Sequence, residues 1–119
     1  MRIASLSAWA LLVGVLLHGD LWAASPASEM RIASPWPAQN AIIAMLGYGD
    51  NIVGTSNVAK QIPLFRQSLP RIDAVPVVSV NSGQALNPEQ IIALGTRLLF
   101  VPDSMKVPQL DLLERAGVR

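Results

Sequence analysis

The 119-residue chain carries nine Lys and Arg against eight Asp and Glu, a net charge of +1, and no cysteine. That length suits one domain, and an apolar share of 51% favours a packed core over disorder. The balanced, scattered charges exclude nucleic acid as a main partner. The lack of cysteine excludes a disulfide framework, thiolate metal sites, a cysteine nucleophile and the lipid-bearing cysteine of a bacterial lipoprotein.

At the N-terminus, Arg2 is followed by a mostly apolar run over residues 3–17. His18, Gly19 and Asp20 interrupt it, and small residues follow at Ala23, Ala24 and Ser25. This is the layout of a secretory signal peptide, so residues 1–24 are expected to be a leader and the rest of the chain to be exported. An uncleaved anchor is the competing reading, but the run is short for a membrane span. Removing the leader removes His18, the single histidine of the chain.

Residues 25–29 form a short polar lead-in to a first strand at residues 30–34 (MRIAS). Pro35 and Pro37 stop that strand, and Pro37 suits the start of a helix over residues 38–46, with Ala38, Ile42, Met45 and Leu46 as its apolar stripe. Gly47-Tyr48-Gly49-Asp50 ends the helix, and residues 52–55 (IVGT) read as a second strand. A short helix after Pro63 is expected to pack Leu64, Phe65 and Leu69 before Pro70 ends it. The β-branched run at Val75, Val77, Val78 and Val80 reads as a third strand or extended edge, and Asn81-Ser82-Gly83 as a turn. Asn87 is a good N-cap and Pro88 a good first helical residue. Ile91, Ile92 and Leu94 can line one face, Gly95 ends the helix, and residues 98–101 form a buried strand. A last helix over residues 107–116 would turn Leu110, Leu113 and Val107 inward before Gly117. The order predicts an α/β fold: an open, mostly parallel sheet flanked by helices. The chain stops at Val118-Arg119, where another strand is expected, so residues 25–119 read as an incomplete lobe.

Catalytic constellations are scarce. Without His or Cys beyond the leader, Ser-His and Cys-His arrangements are impossible, and no serine sits in a G-x-S-x-G elbow. Gly47-Tyr48-Gly49 follows a helix and lacks a third glycine, so it is no dinucleotide fingerprint. The acids Asp50, Asp73, Asp103 and Asp111 lack metal-ligand spacing. The chain is therefore expected to be no enzyme, with no resident cofactor and no bare metal site. Ligands of open α/β sheets sit at the carboxyl ends of the strands. The loops there offer Trp36 as a flat apolar face, Asn57, Asn81 and Ser82 as neutral hydrogen-bonding groups, and Asp103. The alternatives stay open: Trp36 as a core or hinge residue, and the Asn and Ser residues as turn formers.

Three stretches, residues 31–40 (RIASPWPAQN), 46–55 (LGYGDNIVGT) and 87–95 (NPEQIIALG), resemble successive signatures of the substrate-binding proteins of ABC importers, in the class that carries iron-siderophores, haem and cobalamin. The resemblance implies a two-lobed periplasmic protein holding a metal chelate between its lobes, of which this chain supplies the N-terminal lobe, and an inner-membrane permease as partner. It places on Glu89 the surface acid that docks to permease arginines; a helix-dipole acid without a partner is the plainer reading of the same residue. Departures from the pattern are Gly95-Thr96-Arg97 for the usual Lys-Pro-Asp exit, Pro88 for Leu, and Trp36-Pro37 after the Ser-Pro turn. A remnant that binds nothing and a small exported α/β enzyme are the alternative readings.

Overall fold

The structure, a computed structural model, describes residues 29–80, 85–107 and 109–119. In chain order its elements are β1 (Ile32–Ala33), α1 (Pro37–Met45), β2 (Ile52–Gly54), α2 (Asn57–Lys60), α3 (Pro63–Ser68), β3 (Ser79–Val80), β4 (Ala85–Leu86), α4 (Pro88–Ala93), β5 (Leu98–Leu99) and α5 (Leu110–Arg115), with 3-10 turns at Gly49–Asn51 and Ile72–Ala74.

The three-stranded sheet has the order β2-β1-β5, and β1 is parallel to both neighbours, pairing Ile32 with Ile52 and with Leu98. Beyond β2 the ladder continues through a parallel bridge between Thr55 and Val77. Beyond β5, the Arg119 N–H donates to Arg97 O (2.9 Å) and the Leu99 N–H donates to Arg119 O (2.8 Å). β3 and β4 form a separate antiparallel pair.

Alternation along the strands divides the core into two layers. Ile32 and Ile52 face a cluster with Ile43, Ala59, Phe65, Leu69, Ile72 and Val75, and Leu98 packs against it. Ala33 faces a second cluster with Val78, Leu86, Ile91, Leu113 and Val118, against which Leu99 packs. Helices α1, α2 and α3 thus cover one face, and α4 and α5 the other. Both faces are buried, which is why the strands are apolar throughout instead of alternating.

Local chemistry sets the boundaries. Pro37 and Pro88 occupy first turns, where the missing N–H costs nothing. The Asn87 side chain accepts from the Gln90 N–H at 3.1 Å. At the other end of α4, Gly95 takes φ +63 and the Thr96 N–H donates to Ile91 O at 3.3 Å, the left-handed cap that an L side chain would resist.

Four expectations need correction. The buried residues of α1 are Asn40 and Ile43, whereas Ile42, Met45 and Leu46 are 56%, 86% and 67% exposed. The helix is apolar nearly all round, so periodicity could not tell its inner face from its outer one. Phe65 and Leu69 pack as expected, but Leu64 is exposed, because α3 turns a single stripe to the sheet. An additional helix, α2, forms where the Ser56 side chain accepts from the Ala59 N–H at 3.2 Å. The last helix begins at Leu110, not at residue 107, because Gln109 stands in the left-handed region at φ 56. That offset turns Leu113 inward and leaves Leu110 about half exposed.

Candidate functional site

The strand order locates the crevice. From β1 the chain reaches β2 through α1 on one face, while β5, on the other side of β1, is entered from α4 on the opposite face. The order therefore switches between β1 and β5, and in open α/β sheets ligands bind at such a switch, outside the carboxyl ends. Trp36 follows β1 there, and Pro102 and Asp103 follow β5. Asn57 follows β2, one strand away.

Trp36 is the N-cap residue of α1, half exposed, and its backbone is extended (φ −101, ψ 124). Its carbonyl accepts the first helical bond, from the Asn40 N–H at 3.1 Å. The indole is therefore held at a fixed backbone position on the rim instead of in the core. Asn57 opens α2 and is exposed. Asp103 is exposed in the turn closed by the Met105 N–H donating to Pro102 O at 2.9 Å. Glu89 is exposed in the first turn of α4. Helices that connect parallel strands run against them, so the start of α4 lies at the same carboxyl edge as the rim. Trp36, Asn57, Asp103 and Glu89 thus share one edge of the sheet. Asn81 and Ser82 lie outside the described residues.

Beneath this rim is a buried polar layer that the sequence reading missed. Ser34, Asn40, Thr55 and Ser56 are all buried. The Asn40 Nδ2 donates to Thr55 Oγ1 at 2.8 Å, and Ser34 Oγ lies 3.3 Å from Gln39 Oε1. Asn40 Oδ1 is buried with no hydrogen-bond partner among the described residues. One signal was available: Asn40 is polar in the middle of a helix that is otherwise almost entirely apolar. Phe100 corrects another expectation: read as part of a buried strand over residues 98–101, it stands just past β5 (Leu98–Leu99) and is exposed. It is 43% exposed, and its N–H donates to Ala33 O at 3.0 Å, which sets it beside β1 at the switch.

The opposite, amino edge is where the guanidinium groups collect. Arg31, just before β1, donates from Nε and Nη2 to Leu94 O at 2.9 and 2.7 Å, capping α4. Arg97 stands just before β5. Arg71 and Asp50 line a cavity of about 270 Å³ at the foot of β2, and Arg31, Thr96 and Arg97 line a groove of about 590 Å³ at the feet of β1 and β5. The C-terminal end of α4, at Gly95, opens onto that groove, and Arg31 serves its last carbonyl as helix-end cations do. Among the described residues, no group of three or more His, Asp, Glu or Cys could hold a metal ion, and no helix is long and apolar enough to cross a membrane.

No known family profile matches the chain, and no curated protein matches it. Among solved structures, it is similar to a crystal structure of a variant of the heme binding protein HmuT. That match has 27% sequence identity and a TM-score of 0.55, and it covers 76% of this chain and 26% of that one. This chain therefore spans about a quarter of the length of that protein. The likeness supports a binding-protein fold for the described α/β unit, with its parallel sheet covered by helices on both faces.

Proposed function

We propose that this chain is part of an exported substrate-binding component of an ABC importer, which captures a metal chelate and delivers it to a membrane permease. The observation that carries the reading is the likeness to a heme binding protein at 27% identity over 76% of this chain. The rim is of the same character: an exposed indole and an exposed phenyl ring at the switch between β1 and β5, with Asn57 at the end of the neighbouring strand, suit a moderately large, partly polar ligand. Hydrolysis of ATP belongs to other subunits of such an importer. Residues 1–24 act as the leader that takes the chain to the periplasm. The ligand is a chelate of the iron-siderophore, haem or cobalamin type, its metal arriving already wrapped.

Trp36 supplies the test. The other tryptophans, Trp9 and Trp22, fall in the proposed leader. With both changed to Phe, the fluorescence of Trp36 is titrated with hemin, a ferric hydroxamate siderophore and cyanocobalamin. Saturable quenching by one of them is expected; no saturable response to any would overturn the reading.

A further inference from the structure

We propose that the groove at the feet of β1 and β5 is a binding site for a small organic carboxylate. Thr96 lines it together with Glu29, Arg31, Ile92, Arg97 and Val118. Thr96 is only 3% exposed, and its Oγ1 is buried with no hydrogen-bond partner among the described residues. Its backbone N–H donates to Ile91 O at 3.3 Å, so the cap of α4 fixes the residue where it stands. A buried hydroxyl without a partner destabilises the fold, and an acceptor entering the groove relieves that cost. The groove lies at the amino edge of the sheet, away from Trp36 and the crevice, so the site is separate from the rim and does not rest on the chelate reading.

Charge and shape identify the ligand. Arg31 caps α4 through Nε and Nη2, which leaves Nη1 outside the cap. Arg97 is exposed, and neither arginine takes part in the ion pairs of the described residues. Two arginines against the single Glu29 leave the groove one positive charge in excess, so a singly charged anion suits it better than a dianion. The carbonyl end of α4 weighs against a dianion as well. A carboxylate carries one charge, lies flat against a guanidinium fork, and has lone pairs left to accept from the Thr96 hydroxyl. Ile92 is half-buried and Val118 buried along the wall, which gives an apolar body a surface to rest on. The volume of about 590 Å³ is in the range of small-molecule sites.

The test is an NMR titration of the isotope-labelled full chain with sodium benzoate, set against benzamide and sodium sulfate at matched ionic strength. Benzoate should shift the amide signals of Thr96 and Arg97 and the Nε signal of Arg31 saturably. Its dissociation constant should be on the order of millimolar, as suits a ligand of this size in an open groove. Benzamide, which lacks the charge, and sulfate should each bind about tenfold more weakly or worse. Arg97→Gln and Thr96→Val should each weaken benzoate about tenfold, while Arg71→Gln, at the same edge but outside the groove, leaves it unchanged. Thr96→Val removes only the unpartnered hydroxyl, so the unliganded variant should be no less stable to urea than the parent chain. No saturable shift, binding of benzamide or sulfate as tight as that of benzoate, or equal weakening by Arg71→Gln would overturn the proposal. So would a less stable Thr96→Val, which would show that the hydroxyl is already satisfied within the fold.

Discussion

Asn40 and Thr55 meet through a single buried hydrogen bond, Nδ2 to Oγ1 at 2.8 Å, which ties the middle of α1 to the carboxyl end of β2. Thr55 is held at the same time by its backbone, whose N–H donates to Pro76 O and whose carbonyl accepts from the Val78 N–H, each at 2.9 Å. One residue therefore joins the helix above the sheet to the next strand of the ladder, directly beneath the rim.

The two residues should be energetically coupled. Thr55→Val removes the acceptor and leaves the Asn40 amide buried without any partner, at a cost of about 1–3 kcal/mol. Asn40→Leu removes the amide and its unpartnered Oδ1 together, so it should cost less. In urea denaturation, the double variant should be more stable than the two separate losses imply, by about 1 kcal/mol. Strict additivity would mean that the hydrogen bond does not contribute to stability.

Ile42 and Ile43 are neighbours in sequence on opposite sides of α1, at 56% and 6% exposure. Ile43→Ala opens a cavity in the layer with Ile32, Phe65 and Leu69 and should cost about 2–4 kcal/mol. Ile42→Ala, measured in dilute solution, should change stability by less than about 0.5 kcal/mol. Equal losses would show that α1 is rotated from the orientation described.

The same pair shows how far the fold could be read from the sequence. Punctuation by proline, glycine and asparagine marked β1, α1, β2, α4 and β5, because Pro37, Pro88, Asn87 and Gly95 act locally. The orientation of α1 is a tertiary property: with apolar residues on both sides, the sheet chooses the face, and it chose the side bearing Asn40. β4 has two residues, and its identity comes from pairing with β3 instead of from any pattern. α2 has four residues and depends on one serine cap. That Trp36, Asn57 and Asp103 would stand at one edge of the sheet was legible because loops after parallel strands share an edge. The Asn40–Thr55 contact was not, since it requires knowing how the crossover from β1 to β2 seats the helix.

Gly54 is required by close approach. A Cβ added there would stand 2.6 Å from Val78 Cγ1 and 3.2 Å from Ala33 Cβ. Both neighbours are fully buried in the second core layer, so neither can swing away. Gly54→Ala should therefore destabilise by about 1–3 kcal/mol despite the gain in β propensity. A neutral result in chemical denaturation would mean that the layer yields more easily than its packing implies.

Glu89 stands exposed at the start of α4. On the proposed reading it docks to cationic groups of the permease, so Glu89→Ala should lower chelate uptake about fivefold to tenfold, while affinity for the free chelate is unchanged. Glu89→Asp should restore part of the uptake. Uptake assays in cells alongside fluorescence titration separate the two effects, and undiminished uptake by Glu89→Ala would remove the docking role.

The charge layout makes a separate prediction about the ligand. The described arginines at the strands' amino edge, Arg31, Arg71 and Arg97, stand at the opposite edge from Trp36 and Phe100. At the carboxyl edge stand the exposed Glu89, Asp103 and Lys106, the last two three residues apart with opposite charge. This lobe therefore offers a ligand aromatic faces and neutral donors, with little net field to attract an anion. Affinity should depend weakly on salt, changing less than about twofold between roughly 0.05 and 0.5 M, because exposed charges farther away than a Debye length are screened throughout that range. A neutral hydroxamate chelate should bind more tightly than a strongly anionic catecholate chelate of similar size. Titrating Trp36 fluorescence with both chelates at two salt concentrations decides the matter. A steep loss of affinity with salt, or a preference for the anionic chelate, would place a cationic group in the crevice and contradict the segregation of charge described.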